Sequence, residues 1–265
     1  MKHIKYKSKL KLSPWRKISI GSWKPKGDSS TYVFEDFNVD KVLVFCKQQS
    51  ISFNSFVIKA LSSTINKNKR INSIVRFGNI YQREKNTIFI HTLTNRTKDD
   101  LSGVLIEEAF SKEIKEVDIE FKSEIKKVKK GEEKHISSKR NFKIIPAILS
   151  KYILNSLSFL MYSLNIHINL FSSPIDPFGS VMLTNIGSLN LQKAFCPIAP
   201  YTRIPMVVSL GRIELKPTIL NNEIVKSNIS TFGFTFDHRI MDGIHFSKFI
   251  ETFQSFFSNP KLILK

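Results

Sequence analysis

The most constraining stretch of this chain is its last one. From Ile229 to Phe236 the residues alternate, with Phe232, Phe234 and Phe236 on one face of a strand and Thr231, Gly233 and Thr235 on the other. The strand runs directly into the polar cluster Asp237-His238-Arg239-Ile240-Met241-Asp242-Gly243. A helical pattern then places Phe246, Phe249, Ile250, Phe253 and Phe257 on one stripe, and Asn259-Pro260 stops it. A period of two followed at once by a period of 3.6, both with a phenylalanine face, predicts a strand with a helix laid over it. The chain holds 22 Phe against two Trp, and this excess reads as core and interface filler.

The remaining pattern repeats that alternation of strand and helix. Tyr32 to Cys46 reads as extended and then helical, with the helix over Asp40 to Gln48. Phe53 to Leu61 reads as a core-facing helix. Phe77 to Ile90 reads as paired strands, clearest at Thr87-Ile88-Phe89-Ile90. Ile114, Val117, Phe121, Ile125 and Val128 recur at spacings of three and four, which predicts an amphipathic helix from about Glu107 to Lys130. Ile144 to Phe171 is apolar and reads as two helices or one broken one. Ser180 to Leu183 is a strand entering a turn at Thr184-Asn185-Ile186-Gly187. Met206 to Leu210 is a short buried strand, and Asn221-Asn222 turns a hairpin between Pro217–Ile219 and Ile224–Val225. The fold class expected is α/β: a layered sandwich of a mixed sheet with flanking helices.

At 265 residues the chain can bury a substantial core. Its formal charge of +19 attracts anions, from phosphorylated cofactors to nucleic acid or anionic lipid. Nine basic residues and no acidic ones fall between Met1 and Lys26, so the amino-terminal arm, residues 1–14, is the place for unspecific polyanion contact. No zinc-finger spacing or phosphate-binding glycine loop is present, and a nucleic-acid role is disfavoured. Two cysteines, Cys46 and Cys196, make no metal site unaided, and the expected setting is a reducing cytoplasm. No apolar run follows the basic amino terminus, so a signal peptide is not expected. Tyr152 to Ile175 carries no Asp, Glu, Lys or Arg and is long enough to span a bilayer. Its Asn and Ser content and Pro174 favour a packed insertion; contact with a membrane surface is open but not favoured.

The chemistry resides in residues 237–243. A strand end presents a side chain rigidly, and His238 can accept a proton near neutral pH. Asp242, four residues on, can contact the same site or lock the backbone; Gly243 permits close approach or an unusual backbone angle. Spacing alone favours a hydrogen-bonded strand end over catalysis. His245 reads as structural or solvent-exposed, and a metal site from His238, Asp242 and His245 lacks a further ligand cluster.

The Asp237-His238-Arg239-Ile240-Met241-Asp242-Gly243 run resembles, in full, the Asp-His-Arg-x-x-Asp-Gly signature of the catalytic domains of 2-oxoacid dehydrogenase E2 components, the dihydrolipoamide acyltransferases. Thr184-Asn185-Ile186-Gly187 resembles that family's Ser-Asn-hydrophobic-Gly turn with Thr in place of Ser, and Ser52 to Ala60 and Asn259-Pro260 add to the match. The chloramphenicol acetyltransferases share the fold, and their amino-terminal basic pattern is similar to Trp15-Arg16-Lys17. The resemblance implies a chloramphenicol acetyltransferase-like two-layer sandwich over 15–265. It implies a homotrimer, or a higher assembly of trimers, in which His238 takes the proton of an attacking thiol and the Thr184 hydroxyl stabilises the oxyanion from a neighbouring subunit. Asp242 would pair with Arg16, while Asp237, Asn185 and Gly243 would support the site. The acyl donor would be coenzyme A, without a metal, and the acceptor a dihydrolipoyl thiol.

Three departures qualify that expectation. No lipoyl domain precedes the match, so the acyl group would ride on a separate lipoyl-carrier protein, with dehydrogenase subunits as further partners. The family's Gly-Leu-x-x-Pro-Val-Ile stretch has its nearest counterpart in Leu101 to Ile106, without the Pro. A largely helical insertion occupies about 141–179; it either covers core or oligomer contact, or lines an enlarged acyl pocket. A non-catalytic assembly subunit with an E2-like trimeric core and an acetyltransferase acting on a small-molecule hydroxyl are the alternative functions.

Overall fold

The computed structural model describes residues 5–11, 29–93, 101–130, 147–167, 174–220 and 222–264. Arg16 and residues 131–146 fall outside these. The main sheet has six strands in the order β2-β9-β8-β7-β5-β6: β2 (Ser30–Asn38), β5 (Thr87–Leu93), β6 (Leu101–Glu107), β7 (Val181–Asn185), β8 (Met206–Leu220) and β9 (Glu223–Asp237). It is mixed, because β7 runs parallel to both β5 and β8 while the other neighbours are antiparallel. Helices α1 (Asp40–Gln49), α2 (Phe53–Lys67), α3 (Ile114–Lys130) and α5 (Gly243–Ser258) contribute to one core with a single face of this sheet. This is the two-layer α/β sandwich expected.

The phenylalanines make that core. Phe232, Phe234 and Phe236 of β9 meet Phe246, Phe249, Phe253 and Phe257 of α5 in ring pairs 4.8–6.1 Å apart. Phe37 of β2 joins them against Phe232, Phe253 and Phe257. Phe256, absent from the expected stripe, is also buried, whereas Ile250 is only partly so. Each ring buries a large apolar area and gains from tilted or edge contacts.

The helices are held at their ends by polar side chains. Ser52 caps α2, its hydroxyl accepting from the Ser55 N–H at 3.1 Å. Asp118 of α3 accepts from the Ser52 N–H and from the Ser55 hydroxyl, both at 2.8 Å, and pairs with Lys122. Buried Lys59 donates to the carbonyls of Ala109, Phe110 and Lys112, closing the loop that leads into α3. Burial pushes its ammonium down from the usual range.

Several boundaries differ from the sequence expectation. The strands within Phe77–Ile90 do not pair with one another. β4 (Asn79–Arg83) joins β3 (Ser73–Arg76) and β1 (Tyr6–Lys9) in a separate antiparallel sheet, while β5 belongs to the main one. Glu107 ends β6 rather than opening a helix; α3 begins at Ile114 after a short turn. Alternation, which a local apolar count underweights, continues from Met206 to Leu220, so β8 is 15 residues long, matched by 15 in β9. The segment read from sequence as an insertion supplies α4 (Ala147–Ser158), continued by a wider π turn at Phe159–Ser163. Among the described residues no helix is long and apolar enough to cross a membrane.

Arg83 joins the small sheet to this insertion. It is buried, and its guanidinium bonds Asp176 (2.8 Å), the Ser73 carbonyl (2.8 Å) and the Arg203 carbonyl (3.2 Å). Asp176 also accepts from the buried Tyr162 hydroxyl, whose pKa burial raises well above its ordinary value.

Replacing Phe253 by Ala should cost about 3–5 kcal/mol, because the five phenyl rings packed on it leave little room to collapse, and chemical denaturation measures it. Burial pushes the Asp118 carboxyl up, but the Lys122, Ser52 and Ser55 hydrogen bonds outweigh it and hold the pKa below 3.8. A depressed folded pKa contributes stability that is present above the unfolded value and lost as pH falls through the folded one. The stability gap between wild type and Asp118→Asn should therefore be largest near neutral pH and shrink below about pH 4, read from thermal midpoints across the acid range.

Candidate active site

The residues of the charged cluster stand where β9 leaves the sheet. Asp237 is the last residue of β9, opposite Ser30 of β2. Its carbonyl accepts from the N–H groups of Ile240 (2.9 Å) and Met241 (3.0 Å), which folds the chain back on itself. Its carboxylate accepts from the Arg239 N–H and, through both oxygens, from the Arg239 guanidinium (2.6–3.1 Å). This fork fixes the turn on either side of His238. His238 itself is half-buried, and its backbone N–H donates to the Ser29 carbonyl at 2.8 Å. The ring is thus carried on a backbone clamped both by β2 and by its own neighbours.

Asp242 ends the turn and caps α5. Its carboxylate accepts from the His245 N–H at 3.3 Å and meets His245 Nδ1 at 2.5 Å. His245, read from sequence as structural or solvent-exposed, is half-buried and bound to that cap. The pairing of Asp242 with Arg16 lies outside the described residues. Gly243 is not placed for close approach: a Cβ there would meet nothing within 4 Å, and its φ is not positive. As the first residue of α5 it needs only ordinary helical backbone.

Thr184 lies on β7, and the turn after it is tightly built. Asn185 accepts from the Ser188 N–H at 3.0 Å and donates to Asn54 at the start of α2 at 2.9 Å. Gly187 is needed for contact, since a Cβ would come within 2.7 Å of the Arg212 amide nitrogen of β8. Across the sheet, Thr184 is flanked by His91 of β5 and Ser209 of β8. Both share its face, the one turned away from the helices, because Phe89, Met182 and Val207, at the same parity, form a separate cluster there. His91 was not singled out by sequence; an isolated His within an apolar strand gives a local signal only once β5 and β7 are known to pair.

The chain does not bring His238 and Thr184 together. Asp237 bonds to Pro205, just before β8, whereas Thr184 pairs with Ser209 four residues further along and one strand beyond. Four residues of strand and two strand spacings put Asp237, the residue before His238, about 16 Å from Thr184 within one chain. Arg203, also missed by sequence reading, lies nearer the His238 turn. Burial, and then the nearby Arg239 charge, lower its guanidinium pKa from the usual value. Its Nε donates to Ser158 of α4, so the insertion reaches this turn. Among the described residues no group of three or more His, Cys, Asp or Glu side chains could hold a metal ion.

A strand-end histidine in a two-layer mixed sandwich defines a class of fold that comparison makes specific. Residues 178–265 match the family model described as 2-oxoacid dehydrogenases acyltransferase (catalytic domain). Over 86 residues the chain is 31% identical to the dihydrolipoyllysine-residue acetyltransferase component of the pyruvate dehydrogenase complex of Acholeplasma laidlawii, covering 32% of this chain and 15% of that protein. The Staphylococcus aureus component is 30% identical over 82 residues, 31% of this chain and 19% of its own. The chain thus spans less than a fifth of the length of these relatives.

Among solved structures, the dihydrolipoamide acetyltransferase of Azotobacter vinelandii superposes with a TM-score of 0.64 at 12% identity, over 95% of this chain and 88% of that one. The truncated catalytic core of the 2-oxoacid dehydrogenase multienzyme complex from Thermoplasma acidophilum gives 0.61 at 14%, over 95% and 98%. A chloramphenicol acetyltransferase gives 0.53 at 10%, over 97% and 100%. The resemblance read from the sequence holds: the chain has the fold of these acyltransferase catalytic domains, and residues 178–265 match the family model.

Asp242→Ala should lose about 1 kcal/mol of stability with the cap, whereas Asp242→Asn, which still caps, should stay within a few tenths of wild type. Thermal unfolding of the two variants side by side separates the capping role from any role in turnover.

Proposed function

We propose that the chain is an acyltransferase that moves an acyl group between coenzyme A and a thiol, with a dihydrolipoyl group on a separate carrier as the acceptor. The observation that carries this reading is the clamped presentation of His238 at the end of β9, within a sequence that matches the acyltransferase catalytic domain. His238 takes the proton of the attacking thiol, and the thiolate adds directly to the thioester carbonyl. The Thr184 hydroxyl donates to the resulting oxyanion, an interaction that strengthens as charge develops on the oxygen. The intermediate collapses with expulsion of the other thiolate, which recovers the proton from His238. No acyl-enzyme is required.

The separation of about 16 Å between Asp237, next to His238, and Thr184 within one chain supports a site completed between copies. In that arrangement the His238 turn of one subunit faces the Thr184 edge of its neighbour in a homotrimer, the smallest closed ring that such a head-to-tail contact gives in this fold. The Azotobacter vinelandii enzyme has been studied for the roles of a serine, a histidine and an asparagine in its mechanism, the asparagine four residues after the histidine. By that spacing Asp242 stands where that enzyme has asparagine, and Thr184 keeps the serine's hydroxyl. Asp242 acts here as a positioning residue, through the α5 cap and His245. Arg203 adds positive charge beside the turn that an anionic donor would approach.

Transfer of acetyl from acetyl-coenzyme A to free dihydrolipoamide, followed by mass spectrometry, tests this. His238→Ala should lower the rate at least about 100-fold with the oligomer intact. Co-assembled His238→Ala and Thr184→Ala chains, each inactive alone, should recover about a quarter of wild-type activity if every site draws one residue from each of two subunits. Full activity in His238→Ala removes the assigned base. No recovery in mixed oligomers removes the shared site. An intact oligomer with no transfer to any thiol or hydroxyl acceptor favours an assembly subunit instead.

A further inference from the structure

The surface that the acyl-transfer chemistry leaves unused is the outer end of the small sheet together with the insertion. β3 and β4 are joined by a tight hairpin whose turn is Phe77-Gly78, both at positive φ (45° and 70°). Gly and Asn are the residues that such turns ordinarily take, because a bulky side chain there is strained. A phenylalanine that is 63% exposed at that position gains no burial within the chain to offset the strain.

The ring is not isolated. Phe159, 46% exposed, meets it edge-on at 6.4 Å. Tyr152 and Leu149 lie seven and ten residues before Phe159, on the same exposed face of α4. The Arg76 guanidinium anchors the junction: it donates to the Ser163 carbonyl at 2.6 Å and lies over the Tyr81 and Phe77 rings. An aromatic hairpin tip and an apolar helical stripe thus form one continuous exposed patch.

The strand beside this hairpin supplies lysines. β1 pairs with β4 so that Lys9 lies opposite Tyr81 and the Leu10 N–H bonds the Ile80 carbonyl. Exposed Lys9 and Lys11 therefore flank the hairpin that carries Phe77. The segments 5–11, 73–83 and 147–167, which build the patch, hold no Asp or Glu, and the first of them holds four Lys.

We propose that this surface docks the protein on an anionic membrane, with Phe77, Phe159 and Tyr152 entering the headgroup boundary and Lys9 and Lys11 held at phosphate level. Aromatic and aliphatic side chains on one face, flanked by lysines, suit an interfacial site. Apolar contact and attraction to acidic lipid then add together. The inference is independent of the acyl-transfer reading, since none of these residues belongs to the His238 or Thr184 sites.

Co-sedimentation of the full chain with vesicles tests it. Vesicles containing phosphatidylglycerol should bind the protein, and vesicles of phosphatidylcholine alone should bind it far less. Phe77→Ser should weaken partitioning about tenfold, by loss of one inserted ring. Lys9→Gln with Lys11→Gln should weaken it about 20-fold, and added salt should mimic that change. Ile219→Ser with Ile224→Ser, which removes exposed apolar residues at the remote β8–β9 tip, should leave it unchanged. Circular dichroism melting of each variant verifies the fold. Failure to bind acidic vesicles overturns the proposal, as does equal binding by folded Phe77→Ser. A fall in oligomer size in Phe77→Ser, with vesicle binding kept, also overturns it by assigning the face to contacts between copies.

Discussion

The packing of β9 against α5 is the interaction on which the rest of the molecule depends. Three phenylalanines from the strand and four from the helix share ring contacts across a connection of only five residues, 238–242. Because strand and helix are fixed so near to each other, the polar turn between them has little freedom. The Asp237–Arg239 fork and the Asp242 cap remove what remains. The core's apolar burial is therefore also what aims His238. The unusual abundance of phenylalanine is concentrated where rigidity of the site is decided.

The order of strands then determines what one chain can and cannot do. β7 is inserted parallel between β5 and β8, so its carboxy-terminal end, with Thr184, points the way β8 runs. β9 returns antiparallel to β8, so its carboxy-terminal end, with His238, lies at β8's beginning. Thr184 faces Ser209, four residues beyond Pro205, and lies one strand past β8, so its position and the His238 turn stand two strands apart on the sheet.

The insertion lies against this same end of the sheet. Its α4 helix holds Arg203 through Ser158, and Arg83 couples the small sheet to Asp176 and to the Arg203 carbonyl. Polar contacts anchor the inner side of the insertion while its outer side exposes Leu149, Tyr152 and Phe159. A bonded inner side and an exposed apolar outer side thus belong to one element, which an apolar count along 144–171 could not separate.

Much of the layered fold was legible in the residues. The period-two run of Ile229–Phe236, the Phe stripe of α5 and the core-facing helix from Phe53 are local patterns, and local backbone and burial preferences fix them. The identity of the residues around His238 was legible for the same reason, since Asp237, Arg239 and Asp242 act within four positions of it. What the sequence could not show was decided by pairing between distant strands. The membership of β4 and β5 in different sheets, the length of β8, His91 beside Thr184, and Arg203 beside the His238 turn all arise from contacts between segments far apart in the chain. Residue order alone specifies side chains and local periodicity; which strands become neighbours, and in which direction, is settled only when the whole apolar surface is buried at once.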